Sequence, residues 1–198
     1  LGDPPVVPAD AEVLVMGRCA VDWVLSPLEE KPAPAPKGAG EATLALFAGY
    51  LEAQGKENVG QIRQEMRELM TRDVGVFRSE KGIQEAIASL IAFKQRVAEV
   101  AIATKDMRMN QELLERWELD NLLDNAMTIA QGALMRKESR GAHFREDYPE
   151  RSDAFQFHTL VSMTDFGKVR FGERPIDMSI HDAKGEHYEQ FRIMPRKY

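Results

Sequence analysis

One long helical pattern dominates this chain, and the rest of the fold has to be arranged around it. Between Asn110 and about Lys137, Leu113, Trp117, Leu122, Ala126, Ile129, Ala130, Ala133 and Leu134 recur at three- and four-residue spacings. That is the period of one face of an α-helix. Asn110 stands at the N-cap position, where its side-chain oxygen can accept from an amide of the first turn. A helix with so wide an apolar face needs other helices beside it.

The chain supplies them. Leu44, Phe47, Ala48 and Leu51 fall at helical spacing within 42–54, and Val59, Ile62, Met66, Leu69 and Met70 do so within 57–71. Ile83, Ile87, Leu90, Phe93, Val97 and Val100 line a helix expected from Ser79 to about Ala103. In "RDVGVFRSEKG" a short apolar piece, flanked by Gly75 and Gly82, is expected to cross the bundle. Each large apolar side chain buried in this way contributes ~1.5–3 kcal/mol before entropy is subtracted. Short connections make such helices antiparallel neighbours. The period then changes: "FQFHTLVSM", "GKVRFGERPI" and "HYEQFRIM" alternate, with "DFG" as a turn between the first two. The expected fold is therefore mainly α, a three- to four-helix antiparallel bundle with a small C-terminal β appendage.

Upstream, residues 11–25 read as a short, mostly apolar helix. Pro32, Pro34 and Pro36 make the following stretch an extended linker. The "GAGEAT" near its end lacks the preceding strand and the third glycine of a dinucleotide loop. The expected division is an N-terminal helix segment over 1–25, a Pro/Ala linker over 26–41, the bundle over 42–150 and a β or irregular tail over 151–198.

Charge and composition exclude several functions. At 198 residues, 43% hydrophobic and 29% charged, the chain has an ordinary globular composition. A net charge of -6 argues against nucleic acid as a partner. Cys19 is alone, so no intramolecular disulfide can form, and a reducing, cytoplasmic compartment is expected. No apolar run approaches the roughly 20 residues of a membrane span, so direct membrane insertion is not expected. The acidic, proline-rich start is unlike a signal peptide, and the missing Met points to a processed chain or a piece of a longer one. His181 and His187 are six apart, and His143 and Glu146 three apart, but neither pair has the further ligand a zinc site needs.

The stretch "RKESRGAHFREDYPER", Arg136 to Arg151, follows the long helix. Arg136 and Lys137 are placed to offset the macrodipole at the helix's carboxyl end, and Gly141 suits a turn that needs positive φ. The signs nearly balance, which disfavours a polyanion site. Two readings stay open. Glu138, Arg140 and His143 form either a mutually oriented acid–base set or a structural ion-pair network. No matching nucleophile accompanies them, which favours the network.

The same stretch, followed by "HTL", resembles the C-terminal helical domain of the succinate dehydrogenase and fumarate reductase flavoprotein subunits. "MRELMTRDVGVFRSEKGIQEA", "NQELLERWELDNLLDNA" and "GKVRFGERPID" resemble that family in the same order, from about Ala42 to Tyr198. L-aspartate oxidase is similar but more distant, since its chain typically ends soon after the equivalent of "DYPE". The N-terminal "VLVMGRCA" resembles the end of the family's flavin-binding domain, which assigns residues 1–25 to that end.

The resemblance implies an enzyme that interconverts succinate and fumarate by hydride transfer with bound FAD, electrons passing to or from an iron–sulfur subunit. Those flavoproteins carry their flavin and substrate residues in an upstream region absent from these 198 residues. No catalytic, cofactor-binding or metal-binding residue is therefore expected in this chain, and no cofactor on it alone. What the resemblance implies for it is a structural role, packed on the flavin-binding domain of the same subunit. The complex would lie in the cytoplasm, held at the membrane surface through partner subunits. Glu138, Ser139, Arg140, Gly141, His143 and Arg145 are the expected domain-interface residues. The competing reading is a separately encoded or processed, non-enzymatic docking module.

Overall fold

In the computed structural model, which describes residues 38, 40–177 and 179, the long pattern is a single helix, α4 (Gln111–Met135). Before it come α1 (Glu41–Glu52), α2 (Val59–Asp73), the two-residue strand β1 (Phe77–Arg78) and α3 (Glu80–Val97). After it come β2 (Phe144–Arg145), a short 3-10 turn (Asp153–Phe155), β3 (Phe157–Asp165) and β4 (Lys168–Pro175). The helix expected over 11–25, the proline linker and the strand "HYEQFRIM" lie outside the described residues. The bundle and the β appendage are present.

Three of the helices start on side-chain caps. Asn110 Oδ1 accepts the Leu113 N–H at 3.0 Å, while its Nδ2 donates to the Thr104 and Asp106 carbonyls, each at 2.7 Å. Asn58 caps α2 through the Gln61 N–H, and Ser79 caps α3 through the Gly82 N–H. Each such cap is worth about 1 kcal/mol. The helices alternate in direction. Arg96, at the end of α3, pairs with Glu57 just before α2 and with Glu65 in its second turn. The start of α3 lies by the end of α4, where Arg145 bridges them.

The core joins Ile62, Met66 and Leu69 of α2 to Ile83, Ala86 and Leu90 of α3 and to Leu119, Leu123, Met127 and Ala130 of α4. The face read for α4 from sequence is rotated relative to this. Ile129 is 54% exposed, whereas Leu119, Leu123 and Met127 are fully buried. The helix is apolar on several sides because α1, α2, α3 and β3 all pack on it.

Two other expectations need correction. The α3 helix ends at Val97, short of Ala103, because the chain turns there so that Val100 can bridge to Glu57. The apolar piece after α2 does not cross the bundle, for Val76 and Phe77 are 68% and 66% exposed. Its backbone instead runs along the edge and pairs in parallel with the elbow, Phe77 with Phe144 and Arg78 with Arg145.

α1 is attached through a smaller cluster, in which Tyr50, Ile102 and Leu113 are buried with Leu46, Phe47, Leu51 and Trp117 against them. A polar joint reinforces it. The Tyr50 hydroxyl donates to Asp120 Oδ2 at 2.5 Å, Arg116 donates to the same oxygen at 2.6 Å, and Lys94 donates to Oδ1 at 2.8 Å. Burial alone would raise the pKa of Asp120, but Lys94, Tyr50 and Arg116 outweigh it and hold the carboxyl below its usual range.

The β3–β4 hairpin is antiparallel, with register Thr159↔Glu173, Val161↔Phe171 and Met163↔Val169 on one face. That face lies toward α4, and Met163 packs against the core.

Two glycines should respond oppositely to alanine. A Cβ on Gly55 would lie 1.9 Å from the Glu99 carbonyl oxygen, a backbone atom that cannot swing away. Gly49, inside α1, has open space around it. Gly55→Ala is expected to lower the urea midpoint clearly. Gly49→Ala is expected to raise stability by up to ~1 kcal/mol, the helix-propensity difference. Chemical denaturation of the two variants beside the parent checks both.

Candidate functional site: the charged elbow

α4 ends at Met135, and the chain then folds back over the helix end. Any helix leaves its last carbonyls without partners inside the helix. Here the buried side chain of Arg145 supplies them. Its Nη1 donates to the carbonyls of Ala133 at 2.9 Å, Leu134 at 3.2 Å and Arg136 at 3.4 Å. The other edge of the guanidinium makes a fork with Asp147, Nε to Oδ1 at 2.8 Å and Nη2 to Oδ2 at 2.7 Å. Asp147 Oδ2 also accepts the backbone N–H of Glu80 at 3.0 Å, the first residue of α3. The pair therefore sets a cation on the carboxyl end of α4 and an anion on the amino end of α3, both as the helix dipoles favour. The hydrogen bonds from Arg145 are the main reason the pKa of Asp147 is lowered to about 2.

A second arginine does the same for α2. Arg78 Nε donates to the carbonyls of Val74 at 3.1 Å and Gly75 at 2.7 Å, just past that helix. Its Nη1 lies 2.8 Å from His143 Nδ1. Because a guanidinium only donates, Nδ1 must accept. Nε2, 3.0 Å from the Arg136 carbonyl, then carries the proton and donates it. His143 is thus a neutral ring with both nitrogens engaged. Burial lowers its pKa first, and the charges of Arg78, Arg145 and Arg136 add to that, against a raising hydrogen bond to the Arg136 carbonyl.

Glu138 is fully buried and takes five hydrogen bonds. They come from Arg136, Arg140 and the Ser152 N–H. Burial would raise its pKa, but these donors, Arg140 foremost, outweigh it and keep the carboxylate charged. Arg136 also donates to the Phe157 carbonyl at 3.2 Å, to Thr159 Oγ1 at 2.7 Å and to the Phe155 carbonyl, which ties α4 to the appendage. Ser139 Oγ accepts the Arg145 N–H at 2.9 Å and donates to the Tyr148 carbonyl at 2.8 Å. Arg140 and His143 exchange both backbone hydrogen bonds around Gly141, whose φ of 62° fits the first central position of a tight hairpin.

All six residues singled out in the sequence therefore fall in one cluster. Glu138, Ser139 and Arg145 are buried beneath it, while Gly141 and Ala142 form an exposed tip. Sequence reasoning missed Arg78 and Asp147. Arg136 and Lys137 stand at the helix end as cations, while the side chain that hydrogen-bonds its last carbonyls is Arg145. Asp147 two residues after Arg145 was a readable signal, but nothing local marks Arg78. Chemically the arrangement is saturated. Among the described residues no buried side-chain nitrogen or oxygen lacks a partner, and no group of three or more His, Cys, Asp or Glu is placed to hold a metal.

A family model described as "Fumarate reductase flavoprotein C-term" matches residues 63–198. The mitochondrial succinate dehydrogenase (ubiquinone) flavoprotein subunit of Oryza sativa subsp. japonica is 32% identical over 179 residues, which is 89% of this chain and 28% of that protein. The fumarate reductase flavoprotein subunit of Helicobacter pylori is 43% identical over 103 residues, 52% of this chain and 14% of that protein. Among solved structures, a quinol fumarate reductase of E. coli aligns with a TM-score of 0.65 at 32% identity, covering 72% of this chain and 26% of that one. The chain thus spans between 14% and 28% of the length of these relatives.

Arg145→Ala removes the donor to three carbonyls and strands the Asp147 carboxylate. With the helix-end carbonyls left unsatisfied, it is expected to cost about 1–3 kcal/mol in a urea titration.

Acid should act in two windows. The unfolded chain takes up a proton at His143 near pH 6.5, as free histidines do, whereas the folded ring resists until lower pH. Stability is therefore complete above about 6.5 and falls as pH drops below it. Asp147 adds a second loss between about 4, its unfolded value, and about 2, its folded one. His143→Gln should flatten the pH 7 to 5 slope of the urea midpoint, and Asp147→Asn the acid slope below pH 4. Unchanged slopes would refute the assignments.

Proposed function

Because the chain belongs to the family of fumarate reductase flavoprotein C-terminal domains, we propose that it is the helical domain of a flavoprotein subunit that interconverts succinate and fumarate. In this reading the longer polypeptide performs hydride transfer with bound FAD and exchanges electrons with an iron–sulfur subunit. The complex lies at the membrane surface in the cytoplasm through partner subunits. No helix among the described residues is long and apolar enough to cross a membrane. The observation that carries the reading is the family match over residues 63–198, which takes in most of α2, all of α3 and α4, the elbow and the hairpin.

In this reading the flavin is held by the upstream part of the longer polypeptide. The donors of the elbow are engaged by the chain's own carbonyls and carboxylates, and His143 has no free nitrogen to act as a base. No step of the reaction is assigned to them. We assign the chain a structural part, inactive by itself. Residues 1–25 form the end of the flavin-binding domain, 26–41 the linker, 42–150 the bundle and 151–198 the tail. Within the elbow, the tip from Arg140 to His143 faces the neighbouring domain. Glu138, Ser139 and Arg145 hold that tip rigid from beneath.

The test is the mass of the natural polypeptide that carries this sequence, measured with its flavin absorbance and its succinate-dependent dye reduction. A chain roughly three to four times longer than this one is expected, in line with the 28% share of the rice relative, with flavin and activity. A natural chain of 22.4 kDa without flavin would make it a docking module instead. In the long polypeptide, Arg140→Ala is expected to cost about 1–3 kcal/mol and to weaken assembly, since Glu138 and the Ser152 carbonyl lose a donor. Turnover per bound flavin should stay unchanged. Normal stability with lost turnover would overturn the structural role.

A further inference from the structure

The two faces of the β3–β4 hairpin differ in kind. Directly opposed residues of an antiparallel pair share a face, so the pairs His158↔Arg174, Leu160↔Gly172 and Ser162↔Arg170 all point away from α4. Leu160 lies at the centre, 48% exposed, over Gly172, where a Cβ would sit 3.5 Å from that of Leu160. Arg170 and Arg174 flank it, both exposed. Neither guanidinium has a hydrogen-bond or ion-pair partner among the described residues, whereas Lys168 at the turn is paired with Asp165. None of these six facing positions carries a carboxylate. On a chain of net charge -6, this is a locally cationic surface with an apolar centre.

We propose that the outer face of this hairpin is a docking surface for a separate, acidic polypeptide, one that presents carboxylates on either side of a small apolar patch. Arg170 and Arg174 are four residues apart on one strand, about 13 Å at the rise of a β-strand. Gly172 and, opposite it, Leu160 lie between them, so no polar side chain joins the two arginines into one anion pocket. Anionic bilayers attract clusters of about four to eight basic residues, more than this face has. An apolar centre rimmed by arginines is the make-up of a protein–protein contact. Among the described residues the strand pair meets the bundle on one face. The inference rests on the reading above in placing the chain inside a multi-subunit assembly.

The experiment uses the natural full-length polypeptide in its own assembly. A benzophenone amino acid replaces Leu160, the sample is irradiated, and the adduct is identified by mass spectrometry. The expected adduct is a peptide of a different polypeptide, with Asp or Glu within a few residues of the attached position. An adduct to the same polypeptide, an adduct to lipid or no adduct overturns the proposal. In parallel, Arg170→Glu with Arg174→Glu is expected to weaken retention of that polypeptide about tenfold, with Arg→Lys at both sites restoring most of it. Retention unchanged by the charge reversal also overturns it. Failure of the functional reading would appear separately, as a short, flavin-free natural chain, whichever way the adduct fell.

Discussion

Everything at one pole of this bundle depends on a buried guanidinium. Arg145 meets three carbonyls at the end of α4 and, through Asp147, reaches the first amide of α3. A charge can be held in so dry a place only when each of its donors is matched. The elbow's other features follow from meeting that condition. Ser139 fixes the backbone of residue 145, Gly141 turns the chain back, and the parallel pairing with β1 brings Arg78 to the end of α2. Three helix ends are thereby tied into one unit.

The dense charge of the elbow reads at first as chemistry, yet the geometry uses it up internally. Acid–base work needs a group with a free lone pair or a proton to give. His143 has neither, because the permanent cation of Arg78 claims one nitrogen and the Arg136 carbonyl the other. Glu138 is equally committed. The arrangement suits a part whose task is to hold shape.

Much of this was legible in the sequence because helices and strands are local. The periods of 57–71 and 110–137, the caps at Asn110 and the alternation after Phe155 all come from neighbours within a turn or a strand. What was not legible depends on distant partners. Which side of α4 is buried is decided by four elements packing on it, so Ile129 looked like core and Leu119 did not. The β1–β2 pair is made between residues 67 apart, and two residues are too short a strand to leave a pattern. Arg78, Lys94 and Arg116 look like ordinary surface cations until His143, Asp120 and Tyr50 are brought beside them. Asp120 itself, a carboxylate inside a helical run, gives no local sign that it is buried.

The late position of the elbow in the chain has a consequence for synthesis. α2 and α3 leave the ribosome before Arg145 and Asp147 exist, so the ion pair that joins the start of α3 to the end of α4 is not yet available. Domains fold largely as they emerge, but contacts across long stretches must wait for the later partner. Until then the first helices have only the groups that lie close in sequence, Asn58, Ser79 and Arg78, to meet their ends. The elbow therefore acts as a latch on a growing polypeptide.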